Sequence, residues 1–390
     1  MKKKYLALKR ILLVLLLIGF VLPTTSDAQI FEDAKEFFTF YPNAKAVEKD
    51  STLYPSKFIA APVISFSPET DFAFGIGAKY LFKFAGSGEE TRVSNMPITF
   101  QYTLNNQYFL YSGFEIFTNQ EKFVITGNIL FQNYPRLYYG IGRNTEESAE
   151  EVYEYNQLLV EPIFLKQMFH RYLFLGGGLR YNHIYETKVE EDGLIAQNMR
   201  DGFDGSTSVG LEVAALYDDR DVILNASEGW YVEFTHGEYG EFLGGTNKFH
   251  LTRLDVRHFF KVSEKNDDVL AFQFLGRTVR DDLPFSEYSF FGSSEIMRGY
   301  REGRFVDRDL VAAQMEFRKN FKNTRLGAVA FVGTGSVFNN IADFQFGALK
   351  PNYGFGVRYK IDKTENLNLR LDWGFGRGTN EIYLGIAEAF

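Results

Sequence analysis

Arg298 has the most chemistry to offer in this chain. It sits in Met297-Arg298-Gly299-Tyr300, within a glycine- and arginine-rich stretch, residues 292–309, that is too polar to face lipid. The segment that follows splits by parity. Val311, Ala313, Met315 and Phe317 share one face, and Ala312, Gln314, Glu316 and Arg318 share the other. A loop guanidinium and a carboxylate on a polar strand face can form a charge-assisted, fork-shaped pair. Such a pair fixes a loop in place but transfers nothing to a substrate.

Residue types that could turn over a substrate are present but not arranged to do so. No G-x-S-x-G occurs, so a hydrolase nucleophile elbow is absent. His170, His183, His236, His250 and His258 show no H-E-x-x-H spacing and fall singly on expected strands or their edges, so no metal site is read. Glu190, Glu191 and Asp192 lie together in a long connection and read as a solvated acidic loop. Gly75-Ile76-Gly77, Gly176-Gly177-Gly178 and Gly354-Phe355-Gly356 lack the strand-turn-helix context of a phosphate-binding loop. The chain has no cysteine, which removes disulfides, thiolate metal sites and lipoprotein anchoring. Its net charge of -8 argues against a nucleic-acid partner, since phosphate binding needs a basic field. The expectation is a non-enzyme without cofactors.

The elements that must position Arg298 and Glu316 are strands. Aromatic residues make up 17% of the chain, with Phe 41 and Tyr 23, as the interfacial girdles of a membrane barrel require. From residue 57 onward, segments of about ten alternating residues recur. Phe72, Phe74, Ile76, Ala78, Tyr80, Phe82 and Phe84 alternate with Ala73, Gly75, Gly77, Lys79, Leu81 and Lys83. Tyr353, Phe355, Val357, Tyr359 and Ile361 alternate with Asn352, Gly354, Gly356, Arg358 and Lys360. Leu367, Leu369, Leu371, Trp373 and Phe375 alternate with Asn368, Arg370, Asp372, Gly374 and Gly376. A charge at mid-bilayer on the lipid face costs roughly 2 to 4 kcal/mol, so this sorting is strongly imposed. The segmentation predicts an all-β, transmembrane antiparallel β-barrel of about 16 strands over residues 57–390. The long connections, around 134–156, 185–205 and 279–309, all fall at odd positions, which places them outside the cell. The 218–228 connection, with Asp218-Asp219-Arg220-Asp221 leading to Gly229, is long for its side, and its residues alone fit either a periplasmic turn or a solvated charge run.

Residues 1–28 read as a signal peptide. Lys2, Lys3, Lys4, Lys9 and Arg10 precede the apolar run Ile11 to Leu22, and Ser26-Asp27-Ala28 is a small-x-small cleavage site. Residues 29–56 form a short periplasmic amino-terminal segment, in which Ile30, Ala34, Phe37 and Phe38 have helical spacing before Pro42. At the other end, Ile382, Leu384, Ile386 and the terminal Phe390 fall on one face, and Phe390 looks like the carboxy-terminal insertion signal of outer-membrane barrels.

With these residues in hand, the chain resembles the BamA/TamA-type outer-membrane proteins, the bacterial surface antigen family. Arg298, Gly299 and Tyr300 match the R-G-F/Y motif of that family's sixth outer loop, and Glu316 matches its acidic residue on the following strand. The resemblance implies that the sixth outer loop folds inward and that Arg298 meets Glu316 on the barrel wall. A second acid is usual in an F-x-D-x-G pattern. Here Phe331-Val332-Gly333-Thr334-Gly335 puts glycine in that place, which implies a thinner pairing network. The D-x-R-D…G stretch at residues 218–229 is similar to another family signature, which implies that this connection is an ordered periplasmic turn. Residues 29–56 leave no room for the periplasmic POTRA domains that the family's assembly factors carry. The implied function is outer-membrane protein assembly or translocation, carried out in outer-membrane lipid with a periplasmic or outer-membrane partner protein. The alternative is a non-catalytic pore or surface scaffold that kept the barrel alone.

Overall fold

The computed structural model describes residues 54, 56–67, 71–197, 202–263, 267–362 and 366–390. The signal-peptide segment 1–28, and residues 29–56 apart from Tyr54 and Ser56, lie outside the described residues.

A single antiparallel sheet of 16 strands dominates the molecule. In chain order it contains β1 (Lys57–Ser67), β2 (Asp71–Phe82), β3 (Ser94–Thr103), β4 (Tyr108–Phe117), β5 (Phe123–Tyr138) and β6 (Glu151–Gln167). Next come β7 (Leu173–Lys188), β8 (Ser206–Asp218), β9 (Gly229–Tyr239), β10 (Phe249–Ser263) and β11 (Asp268–Asp281). The last five are β14 (Asp309–Asn320), β15 (Leu326–Phe338), β16 (Lys350–Asp362), β17 (Leu367–Phe375) and β18 (Asn380–Ile386). Each pairs with its neighbours in sequence, with β11 meeting β14. The strands between them, β12 (Ser289–Phe291) and β13 (Phe305–Asp307), form a separate two-stranded hairpin inside the long connection. The alternation of residues does not reveal that hairpin, because three-residue strands are too short to show a period.

Burial is inverted relative to a water-soluble protein. On β14, Ala313 and Phe317 are exposed while Gln314, Glu316 and Arg318 are buried. On β16 and β17, Phe355 at 54% and Val357 at 55% are exposed, while Arg358 at 4% and Asp372 at 0% are enclosed. Apolar side chains facing out and charges facing in define a wall between hydrocarbon and a polar lumen.

Strands β5, β6 and β7 reach further toward the long connections than alternation alone indicates, to Tyr138, Glu151 and Lys188. Their extra length is packed from within. Tyr138, Tyr153, Phe203 and Phe285 form one aromatic cluster, with Phe203 and Phe285 stacked at 4.2 Å between ring centroids. Phe285 belongs to the connection between β11 and β14, so that connection enters the barrel as soon as it leaves β11.

Phe390 lies elsewhere than on a lipid-facing strand. β18 ends at Ile386, and Ala387 adopts φ 82°, which breaks the two-residue alternation. Phe390 then packs against the cluster of Ala226, Phe259, Val269 and Ala271. The Arg318 guanidinium lies over its ring at 5.4 Å and donates to its carbonyl oxygen at 2.8 Å.

Candidate functional site

The connection from β11 to β14 crosses the lumen and is fastened on both sides. On one side, Glu287 accepts hydrogen bonds from Arg180 of β7 at 2.9 Å and from Asn182 at 2.7 Å. Burial would raise the Glu287 carboxyl, but the Arg180 and Arg277 guanidiniums and the Asn182 amide together outweigh it and hold the group below the ordinary carboxylate range. On the other side, residues 297–300 reach the wall made by β14 to β17. In the strand order β7 lies far from β14 to β17, so the two anchors stand on different walls.

Arg298 is fully enclosed, at 0% exposure. Its two terminal nitrogens donate to different strands: Nη2 to Glu316 Oε2 of β14 at 2.5 Å and Nη1 to Asp372 Oδ2 of β17 at 2.6 Å. The guanidinium plane lies 3.6 Å from the centroid of the Phe331 ring on β15. Asn352 of β16 donates to the Arg298 carbonyl oxygen at 2.9 Å. One loop residue therefore touches four consecutive wall strands.

The carboxylates are shared. Glu316 also accepts from Arg318 at 2.8 Å, and Asp372 from Arg358 at 2.5 Å. Arg358 further donates to Glu388 at 2.7 Å, and Arg370 lies 3.5 Å from Asp372. Arg358 and Arg370 face each other directly in the β16–β17 ladder, a repulsive placement that the carboxylate between them offsets. Within this network, Arg298 Nε, Arg370 Nε and Asn352 Oδ1 are buried without a hydrogen-bond partner.

Two glycines let the backbones meet. Gly299 has φ 104°, and a Cβ there would stand 2.5 Å from the Phe375 backbone. Opposite it, a Cβ on Gly374 would stand 2.7 Å from the Arg298 carbonyl carbon. Each position excludes a side chain because the other chain occupies the space. The Gly299 amide donates to the Tyr383 hydroxyl of β18 at 2.9 Å. Tyr300 is 1% exposed and donates its hydroxyl to the Pro351 carbonyl at 2.8 Å.

The pairing network is not thin, contrary to expectation. Gly333 leaves a space that the Asn352 side chain occupies; a Cβ on residue 333 would meet Asn352 Oδ1 at 2.5 Å. The second acid comes from another strand, as Asp372. Parity assigned Asp372 to the lumenal face, but alternation within one strand cannot say which inward charge on which strand meets a given loop residue. The contacts of Phe331, Asn352 and Tyr383 with the loop are illegible in the sequence for the same reason.

At the other end of the barrel the Asp218-Asp219-Arg220-Asp221 connection is ordered, with Asp218 and Arg220 buried, Asp219 half-buried and Asp221 exposed. Arg220 donates to Asp218 at 2.8 Å and to Glu115 at 2.9 Å, and Arg92 reaches Asp218 at 2.5 Å.

The Omp85 superfamily domain matches residues 74–390. The chain belongs to the Omp85 superfamily. No curated protein matches its sequence. Among solved structures it is similar to BamA from Haemophilus ducreyi lacking POTRA domains 1-3, at 11% identity and TM-score 0.53, covering 85% of this chain and 69% of that one. CdiB from Escherichia coli is similar at 10% identity and TM-score 0.56, covering 85% of this chain and 62% of that one. CdiB from Acinetobacter baumannii is similar at 11% identity and TM-score 0.54, covering 85% and 59%. The chain thus spans less than two thirds of the length of either CdiB. It is an outer-membrane β-barrel of the Omp85 type.

Proposed function

We propose that this barrel handles another polypeptide at the seam between β1 and β18, in an outer-membrane assembly or translocation role carried out with partner proteins. The observation that carries this reading is the pair of sheet edges. Every adjacent pair in the order from β1 to β18 is joined by a ladder, whereas none joins β18 to β1 among the described residues. What holds the two ends near each other is apolar packing: Ile59 and Ile386 both lie against the cluster of Leu81, Leu224 and Leu367.

An unpaired backbone amide or carbonyl in hydrocarbon costs several kcal/mol, so open edges seek a strand to pair with. An incoming segment could satisfy them by β-augmentation. β18 is the edge that yields more readily, since its ladder with β17 spans 7 residue pairs while that of β1 with β2 spans 11. It is also tied to the lumenal loop, through the Gly299 amide to Tyr383 and through Arg301 to Glu381 at 3.1 Å. A loop crossing the lumen speaks against a constitutively open pore.

The absence of native cysteine allows a clean test. Paired cysteines, one within 57–63 and one within 380–386, would be oxidised to close the seam. Cells carrying the locked barrel should lose the same surface or outer-membrane proteins as cells depleted of the protein are expected to lose, and reduction should restore them. Quantitative cross-linking with an unchanged outer-membrane protein profile would sink the proposal, as would depletion that alters no envelope protein.

A further inference from the structure

The histidines do not all stand singly. His236 on β9 and His250 on β10 stack nearly parallel across the ladder, with ring centroids 6.3 Å apart and an interplanar angle of 8°. Glu238 is the register partner of His250 and Thr252 that of His236. His236 and Glu238 are two apart on one strand and share a face with Trp230 and Phe234, exposed at 42% and 40%. The group therefore continues the lipid-facing side of the wall, at the end of β9 and β10 next to the 240–248 connection.

We propose that His236, His250 and Glu238 form a divalent metal site of the zinc class on this outer rim. One ligand atom from each of the three residues lies within 4.8 Å of those of the other two. His250 Nδ1 is 2.6 Å from one Glu238 carboxylate oxygen, and His236 Nε2 is 3.6 Å from the other. The far nitrogen of each ring is already engaged. His250 Nε2 lies 2.9 Å from Asp281 Oδ2 at the end of β11, and His236 Nδ1 lies 2.8 Å from the Thr252 hydroxyl.

These outer contacts decide the chemistry. Carboxylates stand at both His250 nitrogens, Asp281 at Nε2 and Glu238 at Nδ1; with a metal on Nδ1 in place of a proton shared with Glu238, the Nε2–H would donate to Asp281. That is the carboxylate–histidine–metal relay by which a second residue orients a ligand. His250 Nδ1 is buried and makes no well-directed hydrogen bond although Glu238 stands 2.6 Å away, so a cation seated between the two would satisfy both. The nearest guanidinium does not fill that place: Arg280, opposite His250 in the β10–β11 ladder, is held by Asp309. Two imidazoles with a carboxylate suit zinc better than the oxygen-seeking calcium or magnesium. The ladder sets all three ligands before a metal arrives. A fourth position stays open toward the rim, where Glu238 is 55% exposed.

The test uses the full chain, folded in detergent, without a histidine tag and stripped by chelation, titrated with Zn²⁺ against a chromophoric chelator. Wild type should take up one equivalent. His236→Ala, His250→Ala and Glu238→Gln should each abolish that uptake while keeping the heat-modifiable mobility of the folded barrel. Asp281→Asn should weaken binding about 10- to 100-fold without removing it, as loss of an orienting partner does. His183→Ala, on β7, should bind as wild type. No stoichiometric uptake by wild type, or uptake retained by His250→Ala or by Glu238→Gln, would overturn the assignment.

Discussion

Arg298 and Arg301 lie in the same loop and each pairs with carboxylates, yet their surroundings differ. Arg298 and both of its acids are at 0% side-chain exposure. Arg301 is at 38%, with Glu381 at 31% and Glu150 at 42%, and its contacts are longer, 3.1 and 3.5 Å. Water competes for every charge around Arg301 and for none around Arg298. Counting ion pairs would rank the two alike, whereas burial makes one a structural necessity and the other close to neutral.

The largest effect is expected when Arg298 is stripped of both acids at once. After Arg298→Ala, Glu316 still has Arg318 and Asp372 still has Arg358, so no carboxylate is left alone. Loss of one acid likewise leaves Arg298 the other. Glu316→Gln with Asp372→Asn removes both and strands a buried guanidinium, at a cost of about 3 to 5 kcal/mol. The double variant should expose residues 292–304 to protease in folded barrels and lower the urea midpoint of the heat-modifiable band. Its loss should exceed the sum of the two single losses. Additive singles would mean that the acids do not stand in for one another.

A smaller effect is expected from Gly299→Ala, which leaves every charge in place. The φ of 104° disfavours any side chain, at about 1 to 3 kcal/mol. The added Cβ would also meet the Phe375 backbone at 2.5 Å. The loop should lift from β17, detected as faster proteolysis and as fluorescence change at Trp373, the neighbour of Gly374. A variant with wild-type protease resistance would show that the close approach of the two backbones is dispensable.

Much of this arrangement is legible in the order of residues, and the unreadable part has a physical cause. Alternation in 311–318, 352–361 and 367–376 separates lipid-facing from lumenal residues because each strand has one oily and one wet face. It therefore gives the strand succession and assigns Glu316 and Asp372 to the inside. It carries no information about contacts across the lumen, which depend on register, barrel curvature and the path of a loop. So Asp372, Phe331 and Asn352 emerge only in three dimensions, as does the pairing of His236 with His250 across a ladder. Phe390 shows the limit from the other direction: a single left-handed residue, Ala387, cancels the face that parity assigns.

The mildest test is Arg301→Ala. Its partners Glu150 and Glu381 stay solvated when it is removed, so no charge is left buried, and an exposed pair contributes about 0 to 1 kcal/mol. What Arg301 adds is a link between the loop and β18. Nearby, the Gly299 amide already binds Tyr383 on the same strand, so that link is duplicated by a contact that salt does not screen. The urea midpoint should therefore shift little, and the shift should vanish at high salt. The double variant Glu316→Gln, Asp372→Asn should keep its large defect at the same salt concentration, because enclosed charges are poorly screened. If Arg301→Ala proved as damaging as that double variant, exposure would not be what separates these two arginines, and the coupling of the loop to β18 would run through Arg301.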